Sequence, residues 1–200
     1  MVKSSDKLGS EPFGSNQGRY NSIEGLISPS SQGVNQNEAG DSPQQLYHSG
    51  LLQHFKQEYE PALTQLEKAY KLYIRNKDFL GAIFCLVEMA WIKYKLGSDE
   101  GIAKSNRMFA DAQAMIQAHI HEPGINEARA RLLHYKGLIQ YRQGNYAEGV
   151  KYFKNARTFC SPDGLEAAKL SDSFGIYYER TGDFQRAIQS LKASLAIKEK

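Results

Sequence analysis

The side chains best suited to chemistry are few in this chain and poorly placed for it. Five histidines invite a metal reading. His119 and His121 stand two apart, so on a helix they point away from each other, and no Cys or carboxylate cluster joins them. Cys85 and Cys160, the two cysteines, fall inside helical patterns with apolar neighbours and read as small reduced core residues. Asp99 and Glu100 are adjacent acids beside a turn signal, where solvated charge is the normal state. The run Gly14-Ser15-Asn16-Gln17-Gly18 has no strand before it, so it lacks the setting of a phosphate-cradling loop. Gly-x-Ser-x-Gly and His-Glu-x-x-His do not occur. The expectation is a chain without catalysis, metal or cofactor.

Bulk properties narrow the partners. The 25 basic and 22 acidic residues give a net charge of only +3, with no clustered basic run of the kind nucleic acid requires. No stretch of about twenty apolar residues exists to span a membrane, and no apolar segment follows Lys3 and Lys7 to make a secretory signal. A cytoplasmic protein with protein partners fits these facts. Residues 1–43 hold nine Ser, six Gly, four Asn, three Gln and three Pro, 25 of 43 in all. Such a composition buries too little apolar area to offset backbone ordering at about 1–2 kcal/mol per residue, so it reads as a disordered tail. Within it Tyr20-Asn21-Ser22-Ile23-Glu24-Gly25-Leu26-Ile27 is either a short docking motif or an incidental cluster.

From Ser42-Pro43 onward apolar residues recur at helical spacing. Ser42 is a plausible cap, with Pro43 in the first turn. Turn signals at Gln57-Glu58, Gly97-Ser98, Pro123-Gly124, Gly144-Asn145 and Thr181-Gly182, with further breaks before Leu80 and at Ser161, divide the rest into eight helices. Ser161-Pro162-Asp163 is read as capping and opening the seventh. These helices form four antiparallel hairpins, at about 44–76, 80–120, 125–160 and 162–200.

The hairpins repeat one another. Gly50, Gly137 and Gly175 are each followed nine residues later by Tyr59, Tyr146 and Phe184. Ala62, Leu66 and Ala69 in the first repeat correspond to Gly149, Phe153 and Ala156 in the third, and to Ala187, Leu191 and Ser194 in the fourth. Small residues suit a helix crossing, where large ones would push the axes beyond about 8–10 Å. The second repeat departs: Ala90 replaces the glycine, Asp99 stands where the aromatic belongs, and register through Ile102, Ala103, Phe109, Ala112 and Ile116 is loose. Centres are 40, 47 and 38 residues apart. On these residues the chain resembles tetratricopeptide repeats over about 44–200. Its long spacing is similar to forms in bacterial signalling proteins and kinesin light chains.

The resemblance implies an all-α fold, a right-handed superhelix whose first helices line a concave groove. It implies a protein–protein interaction scaffold that binds a peptide or protein segment there. The groove candidates are Tyr47, Leu51, His54, Phe55, Val87, Trp91, Tyr94, His134, Leu138, Tyr141, Arg142, Asp172, Ile176, Glu179 and Arg180. Trp91 fits groove or repeat-to-repeat core equally. Aromatics with Arg are what binding hot spots use. Repeats that clamp a C-terminal carboxylate carry Lys and then Asn four residues on. The pairs here, Tyr47/Leu51, His134/Leu138 and Asp172/Ile176, do not supply that chemistry. Solenoids also need a polar end. Ile188 and Leu195 of the last hairpin have no following helix, which suggests self-association, a covering partner, or the front arm of a larger cyclase, kinase or transcription regulator.

Overall fold

The computed structural model of the chain describes residues 41–199. The Ser/Gly-rich stretch to residue 40, with the motif at 20–27, lies outside the described residues. Eight helices follow in order: α1 Pro43–Phe55, α2 Tyr59–Arg75, α3 Phe79–Leu96, α4 Asp99–Ala118, α5 Ile125–Arg142, α6 Tyr146–Arg157, α7 Leu165–Arg180 and α8 Phe184–Lys198. Among the described residues there is no strand. Ser42 does cap α1. Its Oγ accepts from the Gln45 N–H at 3.2 Å, while Gln45 Oε1 accepts from the Ser42 N–H at 2.8 Å, so two orphan donors of the helix start are satisfied reciprocally.

Close approach within each hairpin is visible at the central small residues. A Cβ added to Gly50 would lie 2.7 Å from Leu66 Cγ, one on Gly137 2.6 Å from the Phe153 ring, and one on Gly175 2.8 Å from Leu191. Backbone closes in as well, with the Ala62 and Gly149 carbonyl oxygens at 3.2 Å and 3.0 Å from the first two positions. The turns repeat too. Seven residues past positions 50, 90, 137 and 175 stand Gln57, Gly97, Gly144 and Gly182, with φ of 65°, 73°, 85° and 78°. Glycine adopts this left-handed geometry freely; glutamine does not.

Three expectations need correction. The second repeat holds register well: Gly101, Ser105, Phe109, Ala112 and Ile116 are buried along one stripe of α4. Phe109 and Ala112 keep the interval of Leu66 and Ala69, but three residues late, because α4 begins almost one turn earlier relative to its crossing. Asp99 is therefore simply its first residue. Ser161 does not cap α7, which starts at Leu165 after Gly164. The Ser161 N–H instead donates to Glu127 Oε1 on α5 at 2.8 Å, tying the connection down before the helix begins. Cys160 lies in that connection, half-buried, rather than in a helix, while Cys85 is in the core.

The core centres on α3, which is buried almost all round from Ala82 to Ile92, as expected of a helix with apolar residues on every side. Each hairpin packs most closely on itself, and α2 packs nearly as closely on α3. First helices of neighbouring repeats also touch: α1 with α3, α3 with α5, α5 with α7. Second helices of neighbouring repeats approach one another much less.

Candidate functional site

The row of first helices carries a chain of polar side chains that crosses all four repeats. At its centre is Arg131 on α5. Its Nη1 donates to Tyr47 Oη on α1 at 2.6 Å and to Glu88 Oε1 on α3 at 3.4 Å, and its Nε donates to Glu166 Oε2 on α7 at 3.3 Å. One guanidinium thus joins four helices from four hairpins. Around it Tyr135 donates its hydroxyl to Glu88 Oε2 at 2.8 Å, and His54 Nδ1 lies 3.6 Å from the same oxygen. His134 bridges Glu166 Oε1, 2.6 Å from Nδ1, and Ser173 Oγ, 2.8 Å from Nε2.

The charges balance within this chain. Burial pushes the Glu88 carboxyl up, but the neighbouring His54 ring and the Arg131 charge outweigh it and hold it at about 2. Burial opposes Glu166 likewise, and Lys169, His134 and Arg131 prevail, pulling it well below the usual carboxylate range. Arg131 is pushed down by burial and further up by Tyr47, Glu166 and Glu88. The Tyr47 and Tyr135 hydroxyls are raised, chiefly by burial. These groups are therefore locked in one protonation state across ordinary pH. Among the described residues, no group of three or more His, Cys, Asp or Glu is arranged to hold a metal ion.

A second pattern runs along the ends of the first helices. Five residues past the central small residue stand Lys95, Arg142 and Arg180, and each cation lies over a ring of the preceding repeat. Lys95 Nζ is 4.9 Å from the Tyr59 ring centre, the Arg142 guanidinium 5.7 Å from Trp91, and the Arg180 guanidinium 4.7 Å from Tyr146. Such contacts contribute about 0.5–1 kcal/mol each at exposed sites. The second repeat lacks an aromatic opening its second helix, and Trp91 supplies the ring instead. Trp91 in turn stacks on Tyr135 at 5.2 Å and on Tyr94 at 5.9 Å.

The groove candidates fall into two groups. Val87, Trp91 and His134 are buried in the packing between repeats, out of a partner's reach in this conformation. Tyr47 and His54 are engaged in the polar chain, and Asp172 is held by Lys198 Nζ at 2.7 Å. Leu51, Phe55, Tyr94, Leu138, Tyr141 and Ile176 are partly exposed, and Arg142, Glu179 and Arg180 are exposed. Tyr141 packs edge-on against Tyr146 at 4.9 Å, with Arg180 beside both rings. Sequence reasoning missed Glu88, Arg131 and Glu166. For Glu88 a signal existed: it is the one charge in Phe79-to-Ile92, a run otherwise made of apolar residues and glycine, and buried charges occur only when paired. For Arg131 and Glu166 there was none, because their partners in other repeats lie 32 to 84 residues away.

Comparison with known proteins agrees with this geometry. Residues 128–200 match the family model described as Tetratricopeptide repeat. No curated protein matches the chain. Among the described residues no helix is long and apolar enough to cross a membrane. The hairpins before the match repeat its turn geometry and, at Gly50, its close crossing, so residues 128–200 match the tetratricopeptide repeat family and the described residues as a whole build a tetratricopeptide-like array of helical hairpins.

Proposed function

We propose that the chain is a non-catalytic interaction scaffold, binding a peptide or protein segment along its first-helix row. Tetratricopeptide repeats generally mediate protein–protein interaction, and an array packed more closely along one row of helices curves with that row inside. The observation that carries the reading is the series Tyr94, Tyr141, Arg142 and Arg180: partly exposed rings and cations held in place by the contacts between repeats. Side chains ordered before binding lose little entropy on binding. Leu51, Leu138 and Ile176, each one residue past a central glycine, add apolar area beside them. The test is to select a ligand from a displayed peptide library on the full chain, then titrate it against Tyr141→Ala/Arg142→Ala. Affinity should fall about tenfold or more, with helicity retained. Equal affinity would remove the groove from the account.

A second contact surface is favoured by α8. Phe184, Ile188, Leu191 and Leu195 are 46–65% exposed, whereas Leu63 and Val150, at the offset of Ile188, are 3% and 8% exposed beneath the next repeat. We read this stripe as the seat of another helix, from a second copy of the chain or from a further domain. Light scattering of the full chain against Ile188→Glu/Leu195→Glu tests the self-association form. An unchanged monomer in both removes the self-association form.

A further inference from the structure

On the opposite side from the first-helix row, the gap between α6 and α8 is floored by α7 and forms a cleft of about 410 Å³. Lys154 and Arg157 enter it from α6 and Arg186 from α8, and no acidic residue lines it. The chain as a whole carries only three net positive charges, so this is a local concentration of charge. The α6 C-terminus adds about half a negative charge nearby, which three cations outweigh. The floor consists of Phe174 and Tyr178, rings 6.2 Å apart and 21° from parallel. The Arg157 guanidinium lies 5.7 Å from the first ring centre, and the Arg186 guanidinium 5.6 Å from the second. Each guanidinium is thus oriented by a ring before any ligand arrives. Arg186 gives its Nε to Asp183 at 3.2 Å, which uses one of five donors.

The repeat does not require these cations. Counting from the matched glycines, the positions of Lys154 and Arg157 are Glu67 and Tyr70 in the first repeat. The position of Arg186 is Pro61 there and Glu148 in the third. The three cations are therefore not a shared feature of these repeats, although the helix packing is the same.

We propose that this cleft binds an acidic peptide segment, through carboxylate or phosphoryl oxygens held by Arg157 and Arg186. Guanidinium forks match both groups, and the Ser190 hydroxyl adds a donor along the wall. The cleft is open to solvent, so it would not enclose a small metabolite as binding pockets do, whereas an extended segment can pass through it. Nucleic acid is disfavoured because no basic stripe continues from the cleft and the floor rings already have cations over them. The site lies apart from the groove and does not depend on it.

The test uses the full chain and fluorescence anisotropy with three labelled peptides: alternating Glu and Ser, the same length with phosphoserine, and a Gln/Ser control. Saturable binding is expected for at least one acidic peptide and not for the control, and the stronger of the two identifies the oxygen source. Arg157→Glu/Arg186→Glu should weaken binding by about tenfold or more. Arg157→Gln/Arg186→Gln serves the same purpose if charge reversal disturbs folding by circular dichroism. Lys192→Glu, exposed on α8 outside the cleft, and Tyr141→Ala/Arg142→Ala, in the groove, should stay within about twofold. The proposal is overturned if neither acidic peptide binds, if Lys192→Glu or the groove variant weakens binding as much as the cleft variant, or if single-stranded RNA displaces the peptide at lower concentration than unlabelled peptide does.

Discussion

Replacing Arg131 with Met keeps the stem of the side chain and removes the guanidinium that joins α1, α3, α5 and α7. Two carboxylates, Glu88 and Glu166, each 2% exposed, then lose their shared cation, and the Tyr47 hydroxyl loses its donor. Breaking a buried pair from one side costs about 3–5 kcal/mol, because the remaining charge stays desolvated. The carboxyl of Glu88 gives an independent scale. Its movement from 4.5 to about 2 corresponds to roughly 3 kcal/mol at about 1.4 kcal/mol per unit, shared between His54 and Arg131. Both carboxyls are depressed in the folded chain, so their contribution is complete above about 4.5 and is lost as pH falls toward about 2. The gap between wild type and Arg131→Met should therefore be widest near neutral pH and narrow as pH falls below about 4.5. Urea unfolding followed by far-ultraviolet circular dichroism near pH 7 and near pH 3.5 measures this, comparing slope as well as midpoint, since a repeat array can lose cooperativity. Arg131→Lys should fall between the two, since one ammonium does not reproduce a fork that reaches three partners. A gap below about 0.5 kcal/mol at neutral pH, or one of the same size at both pH values, would refute the idea that charge balance holds the four repeats together.

Two further predictions concern the repeat geometry. Gly137→Ala should destabilise by about 1–2 kcal/mol, since the new methyl meets Phe153 at 2.6 Å and the Gly149 carbonyl at 3.0 Å, a cost larger than the gain of about 1 kcal/mol in helix propensity. A raised thermal midpoint would show that α5 and α6 cross elsewhere. Gln57→Gly should stabilise by up to about 1 kcal/mol, because Gln57 alone of the four matched turn residues is not glycine at positive φ. A lowered midpoint would mean that its side chain contributes more than the strain costs.

The helices and their crossings were legible because their causes are local. Ser42, Pro43 and the turn glycines act within four residues of themselves. The pairing of Gly50 with Ala62 and Leu66 lies within one hairpin, so its spacing repeats in the chain and can be read directly. The second repeat looked irregular because its interval was counted from Ala90, whereas α4 crosses three residues further along. Counted from Phe109, its stripe is as regular as the others. The candidate site was only partly legible. Tyr141, Arg142 and Arg180 stand where helix periodicity puts them, but His134 and Trp91 satisfied the same periodicity and turned inward.

Residue types and offsets were thus enough to determine that this chain builds four hairpins, where every helix but α7 begins to within a residue or two, and which small residues let paired helices touch. The stacking angle between hairpins follows from no local pattern. It decides whether a side chain on the first-helix row faces solvent or a neighbour, and it brings Tyr47, Glu88, Arg131 and Glu166 together from four repeats. Ionic contacts act over a few ångströms regardless of separation along the chain, so that polar chain, like the basic cleft between α6 and α8, exists only once the repeats are stacked.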